Sequence, residues 1–259
     1  MSNIFTINHL TYGNILKELS MTIDKKIVSI SGPNNSGKTT LIRILGKEIT
    51  EYRGLITWNE KNIEGYRLEE FEDNIQTVIP LENLFFTENI VEEAYLENRE
   101  ISKEWIDYLL EGLKIKKLES KKISSYTEKE VVLSQIFLAL IHTPSIILLD
   151  SLSNYFNQKE IIGIIDFLKQ YQEEHELMII MTTIHLEDAL LTDYLYIIND
   201  GQVALEGSPL EVLKNDNIIN KIGLDIPFMV DLSVKLMDYD LLDKIVLSKD
   251  RMVEELWKK

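Results

Sequence analysis

IVSISGPNNSGKTT, residues 27–40, is the stretch whose reading decides the fold. A short run of β-branched residues leads into a loop in which Gly32, Gly37, Lys38 and Thr39 match the pattern GxxxxGK[ST]. An apolar-periodic stretch from about Thr39 follows, so the loop stands between a strand and a helix, the context the pattern requires. In such a loop, backbone N–H groups and the positive helix end cradle phosphates, the lysine reaches the terminal ones, and the Thr hydroxyl ligates Mg²⁺. Gly32, Asn34, Asn35, Ser36, Gly37, Lys38, Thr39 and Thr40 are therefore the expected nucleotide-binding residues. The alternative is a chance glycine-rich turn. A side chain at Gly37 is expected to block the backbone's approach to the phosphates. Asn35 stands where many such loops carry glycine, but Asn tolerates left-handed backbone.

Outward from this loop, IQTVI (75–79), SIILLD (145–150), LMIIMTT (177–183) and LYIIN (195–199) alternate with amphipathic stretches such as KEIIGIIDFLKQY (159–171). Apolar runs of this length between helical segments predict a buried parallel sheet, hence an α/β fold. Residues 81–143 are helical in pattern, with no convincing strand, and read as a helical subdomain inserted into a core of residues 1–222. Asp200 and Gly201 form a two-residue hairpin signal, because both central positions of such a turn require positive φ. Residues 223–259 read as a separate C-terminal extension expected to mediate subunit pairing, because its apolar Ile226, Pro227, Phe228, Met229, Val230, Leu232 and Leu236 are more than a short appendage buries alone.

Composition narrows the classes. A chain of 259 residues with 45% apolar and 27% charged residues is an ordinary globular protein, and the absence of cysteine excludes disulfides and thiolate metal sites. A formal charge of -16 weighs against a nucleic-acid partner, which needs a basic surface. The first residues do not resemble a signal peptide, and VVLSQIFLALIHTPSIILLD (131–150) is broken by Ser134, Gln135, His142 and Pro144, so it reads as helix, turn, strand. A cytoplasmic location, or attachment to a membrane through a partner, is expected.

SIILLD ends on Asp150, where a carboxylate can hold Mg²⁺ opposite Thr39, although an Asp there is also a common turn-former. The loop, the helical insert, SIILLD and LEDALLTDYLYIINDGQVALEGSPLEVL (186–213) together resemble the ATP-binding subunits of ABC transporters. The tail, GLDIPFMVDLSVKLMDYD (223–240) and VEELW (253–257), is similar to that of energy-coupling factor ATPases, which power uptake of vitamins and trace metals. The resemblance covers essentially the whole chain. It implies a P-loop, RecA-like core, MgATP as the ligand, and a helical subdomain that docks a transmembrane scaffold subunit beside a substrate-binding membrane component. It also implies a second ABC ATPase as partner, each ATP lying between one subunit's phosphate loop and the other's signature motif, at the cytoplasmic face of the cell membrane. Tyr12 would stack on adenine, or else merely cover the sheet edge.

The departures from the family pattern are as informative. Ser151 stands where the family has the Glu that polarises water, and loss of a positioned general base costs about 10²- to 10⁴-fold in rate. Asn157 replaces an Asp, and Pro80 stands where a Gln is usual, Gln76 lying within the strand instead. Ile184 takes the place of the switch histidine, with His185 one residue late and able to serve only if the turn is bulged. The signature LSGGQ is matched by Tyr126, Thr127, Glu128, Lys129 and Glu130, in which Thr127 and Glu130 have the spacing of a capping box that consumes the N–H groups a phosphate needs. Glu128 adds repulsion, which Lys129 would partly offset. No residue is therefore expected to be catalytic in this chain's own site. Two functions are open: a degenerate ATP-binding subunit of an importer working beside a second ATPase, or a regulatory scaffold that uses ATP only to lock a dimer. A soluble kinase is disfavoured by the insert and tail.

Overall fold

The computed structural model describes residues 3–82 and 85–257; residues 83–84 of the expected helical subdomain and 258–259 of the expected tail lie outside them. The chain opens with β1 (Phe5–Tyr12) and β2 (Leu16–Ile23), then β3 (Ile27–Ser31), the phosphate loop and α1 (Lys38–Leu45). Next come β4 (Arg53–Trp58), β5 (Lys61–Asn62), α2 (Leu68–Asn74) and β6 (Ile75–Val78). The inserted helices are α3 (Ile90–Glu97), α4 (Lys103–Gly112) and α5 (Glu128–Ile141). The core resumes with β7 (Ile146–Leu149), α6 (Gln158–Glu174), β8 (Met178–Thr183), α7 (Leu186–Ala189), β9 (Tyr194–Asn199) and β10 (Gln202–Gly207). Helices α8 (Pro209–Leu213), α9 (Asp216–Ile222), α10 (Phe228–Asp238) and α11 (Lys249–Trp257) end the described chain.

A six-stranded sheet runs β10-β9-β3-β8-β7-β6, parallel except for the β9–β10 hairpin, as the apolar runs predict. Those runs are continuous because both faces are covered. Val28, Ile30, Ile146, Leu148 and Ile180 pack on the side of α1, whereas Ile147, Leu149, Ile179 and Met181 pack on the side of α5 and α6. Replacing a fully buried residue such as Leu148 by Ala costs about 2–5 kcal/mol through lost transfer energy and the cavity left behind. Asp200 and Gly201 close the hairpin at φ 49° and 77°, the left-handed pair that the turn demands.

A second, antiparallel sheet, β2-β1-β4-β5, covers the α1 face. Helices α3 to α5 form the insert, and among the described residues no helix is long and apolar enough to cross a membrane. The tail begins where α9 is capped by left-handed Gly223, but it is stitched to the core: Leu224 and Val230 are buried in one cluster with Leu195 and Ile197 of β9. The apolar tail residues named by the sequence are largely satisfied within the tail itself. Val230 and Pro227 are buried, and Met229, Leu232 and Leu236 pack on Leu242, Val246 and Met252, because α10 and the segment leading to α11 fold back on each other. Of that set the tail leaves Phe228 open, together with Tyr239, Leu247, Val253 and Trp257.

Candidate nucleotide site

The phosphate loop is shaped by contacts that tolerate no side chain. A Cβ on Gly32 would lie 2.2 Å from the Ile198 carbonyl oxygen, and one on Gly37, at φ 102°, would lie 2.6 Å from Leu16 Cδ2. Gly37 is thus required by its backbone angle and by the β1–β2 turn packed behind it, a reason separate from the approach of phosphates. Asn35 takes φ 64°, the left-handed geometry that Asn accepts. Lys38 is buried, and its Nζ donates to the carbonyls of Gly32 and Pro33, both at 2.8 Å, and to Ser36 Oγ at 3.4 Å. Burial pushes its pKa below the ordinary lysine value, with nearby Asp150 opposing the shift. The loop thus holds a desolvated cation against its own carbonyls, ready to turn to an anion.

Parallel strands bring the other groups to the same edge, at the C-terminal ends where ligands bind in sheets of this kind. Thr39 Oγ1 donates to Asp150 Oδ2 at 2.8 Å, so the two residues expected to hold Mg²⁺ touch across the mouth of the sheet. The other Asp150 oxygen accepts from Thr182 Oγ1 and, at 3.4 Å, from Ser151 Oγ. One hydroxyl and one carboxylate are hard oxygen donors that suit Mg²⁺, which takes its remaining ligands from phosphates and water.

Asn34, Asn35, Ser36, Gly37, Lys38, Thr39 and Thr40 line a cleft of about 760 Å³, whereas Gly32 and the buried Asp150 are not among its lining residues. Its other walls are Ile15, Ser151, Ser153, Asn154 and Ile184. Tyr12 is half-buried at the end of β1 and packs against the core; it is not among the lining residues, whereas Ile15 is. Ile15, Ser153 and Asn154 escaped the sequence reading. Ser153 and Asn154 lie just beyond the strand-end Asp150, a positional signal that could have found them, while Ile15 is an exposed turn residue with no motif to mark it. Behind the cleft, Ser153 Oγ lies 3.3 Å from Thr183 Oγ1, which donates to buried Asp188 at 2.7 Å; burial pushes the Asp188 carboxyl upward.

Two of the substituted positions, Ser151 and Ile184, face the same cleft. Ser151, at φ 49°, donates its N–H to Thr182 Oγ1 at 2.9 Å and presents a hydroxyl where a base is needed. Ile184 lines the cleft, while His185 is exposed and is not among the lining residues. The β3–β8 pairing runs unshifted from Ile27↔Ile179 to Ser31↔Thr183, so no bulge in that ladder re-aims the histidine. Gln76 lies in β6 and donates to the Glu72 carbonyl at 2.6 Å. Asn157 caps α6 in a box with Glu160.

At the start of α5 the capping box is complete. Glu130 N–H donates to Thr127 Oγ1 at 3.3 Å, and Thr127 N–H donates to Glu130 Oε2 at 2.9 Å. Lys121, at 2.5 Å, helps to hold the Glu130 carboxyl down to about 2, together with the Thr127 backbone bond and Lys117. Lys129 does not offset Glu128 freely, because both oxygens of Glu160 hold its ammonium at 2.6–2.7 Å.

A phosphate loop opening a helix on a parallel sheet, with a strand-end aspartate bonded to the loop threonine, defines a P-loop nucleotide-binding protein with an inserted helical subdomain. The family model described as "ABC transporter" matches residues 16–154, more than half of the chain, and the chain belongs to that family. The energy-coupling factor transporter ATP-binding protein EcfA of Pediococcus pentosaceus is 24% identical, the match covering 99% of this chain and 97% of that protein. EcfA1 of Mycoplasmopsis pulmonis is 29% identical over 86% of this chain and 87% of its own length. Among solved structures, cbiO1 from Clostridium perfringens, described as part of the ABC transporter complex cbiONQ, has a TM-score of 0.73 at 22% identity, covering 90% of this chain and 99% of that one.

Proposed function

We propose that the chain is the ATP-binding subunit of an energy-coupling factor type importer of a vitamin or trace metal, and that it works beside a second, conventional ATPase. It binds MgATP through the phosphate loop, with Thr39 and Asp150 holding the metal, and contributes little chemistry at its own site. The observation that carries this reading is one cleft lined by Thr39, whose hydroxyl bonds the buried Asp150, while the neighbouring walls are Ser151 and Ile184. A serine hydroxyl cannot take a proton from water near neutral pH, and an isoleucine cannot bond a γ-phosphate.

The chain would sit at the cytoplasmic face of the membrane, held by a transmembrane subunit beside the solute-selecting component. A groove between β6 and the inserted helices, lined in part by Phe85, Phe86, Leu138 and Gln135, supports docking of a partner segment there. Gln135 is buried in that groove with an unpartnered Nε2. The charge of -16 supports a partner set without nucleic acid.

The test is the complex captured from membranes through a tag on this chain. A scaffold plus a second ATPase is expected, with ATPase activity abolished by replacing the partner's catalytic Glu and scarcely changed by Ser151→Ala. Recovery of a lone soluble dimer would favour the regulatory scaffold instead. A large loss of activity from Ser151→Ala, with folding and ATP binding intact, would place the chemistry in this chain.

A further inference from the structure

Helix α6 contains a glycine at its centre that its packing does not require. A Cβ on Gly163 would meet only Lys114 Nζ, at 4.0 Å, so alanine fits there and would favour the helix. By contrast, Gly112 is sterically enforced, since a Cβ there would lie 1.9 Å from the Phe167 ring. The opposite anomaly stands across from Gly163. Lys114, two residues beyond the end of α4, takes φ 59°, the left-handed position usually filled by glycine. A missing side chain where one is favoured, and a long cationic one where none is favoured, meet over the same cavity.

That cavity, about 290 Å³, lies between the end of α4, α5 and α6. Leu113, Leu133, Phe156 and Ile164 give it an apolar floor, and Lys114, Lys129 and Lys159 stand among its lining residues, each from a different segment. Lys129 is neutralised by Glu160, while Lys114 and Lys159 are exposed and have no carboxylate partner among the described residues. Two uncompensated cations beside an apolar hollow are unexpected in a chain of net charge -16. Local rules of sequence are typically broken where a site is kept open.

We infer that this cavity binds a compact amphiphilic monoanion, its apolar body over Gly163 and its carboxylate or sulfonate between Lys114 and Lys159. The site is separate from the nucleotide cleft, with which it shares no lining residue. The cavity suits a ligand of about ten heavy atoms, for which affinity on the order of 1 mM is the reasonable expectation.

The experiment is titration of the full chain with octanoate, monitored by calorimetry and by chemical shifts, with octylammonium as the charge-reversed control. Saturable octanoate binding is expected, with octylammonium weaker by about tenfold or more because the cations repel it. Gly163→Leu should fill the cavity and weaken binding by about tenfold or more while leaving ATP binding unchanged. Gly163→Ala checks the fold, since it should not lower the melting temperature. Lys114→Gln with Lys159→Gln should abolish the preference for the anion. Absence of saturable binding, equal binding of octylammonium, or octanoate affinity untouched by Gly163→Leu would overturn the assignment.

Discussion

Lys38→Ala is the most direct test of the phosphate loop, and its size is set against the bonds Lys38 makes within the loop itself. Two charge-assisted contacts to phosphate are worth about 1.5–3 kcal/mol each. Against this, Lys38 gives up bonds to the carbonyls of Gly32 and Pro33 and to Ser36 Oγ as it turns to the ligand. The net loss is about 2–3 kcal/mol, so MgATP affinity should fall on the order of 30- to 150-fold. The empty protein should change little in stability, because losing a desolvated cation offsets the loss of its bonds. Calorimetry at fixed Mg²⁺, with melting curves of both proteins without nucleotide, separates the two effects. Equal affinity for wild type and variant, both folded, would refute the assignment of the loop.

Because burial lowers the Lys38 pKa, the ammonium is lost at a pH below its ordinary value of 10.5; MgATP affinity should decline as pH rises through that range, and a Lys38→Arg variant should not show the decline. Binding isotherms at stepped pH measure this. Phosphate release by the isolated chain should be near background, and Ser151→Glu should raise it little, since Ile184 remains and groups that act as a unit are not additive. An ordinary transporter rate in either protein would contradict this. Pairing through the tail should be weakened by Phe228→Asp combined with Trp257→Asp, both strongly exposed, as read by light scattering without ATP. Truncation at Gly223 is the poorer test because it uncovers Leu195 and Ile197; unchanged pairing in the double variant would remove the tail from the interface.

The parallel sheet was legible because its central strands β3, β7 and β8 are buried on both faces, which leaves mostly apolar runs. The antiparallel sheet was not. Left-handed His9 and Glu18 interrupt β1 and β2, and the ladder shifts register between Ile7 and Leu10, so the period of two is broken where it would have been read. The first half of β4 is exposed and carries no apolar signal. In the site, the residues proposed to hold phosphate stand in one contiguous motif and Asp150 ends a legible apolar run, whereas Ile15 comes from a turn that only the tertiary fold brings near. The tail shows the same limit: composition reveals an apolar excess, but which side chains remain open depends on α10 folding back upon the segment that leads to α11.

Under the proposed function, the substitutions in this chain are unequal in kind. Ser151 and Ile184 would be missing functions that leave the cleft open to MgATP. The start of α5 is an occupied one: Thr127 and Glu130 spend on each other the N–H groups that a partner's γ-phosphate would need. Opening a cap of this type costs only about 1 kcal/mol, so hydrogen bonding alone does not close the site. Charge adds an obstacle only at Glu128, since Lys117 and Lys121 pair with the Glu130 carboxylate. With its pKa lowered to about 2, Glu130 contributes stability above its ordinary value of 4.5 and loses it only as pH falls toward 2, so the capping box stays closed at neutral pH. In a head-to-tail pair of two such chains, each ATP would face both a cleft without a base and this acidic helix start. Beside a conventional ATPase the two defects fall in different sites: one ATP lies in this chain's cleft against an intact signature, and the other lies in intact chemistry against Glu128. An asymmetric pair is therefore the arrangement in which a chain with these substitutions still leaves one complete set of hydrolytic groups.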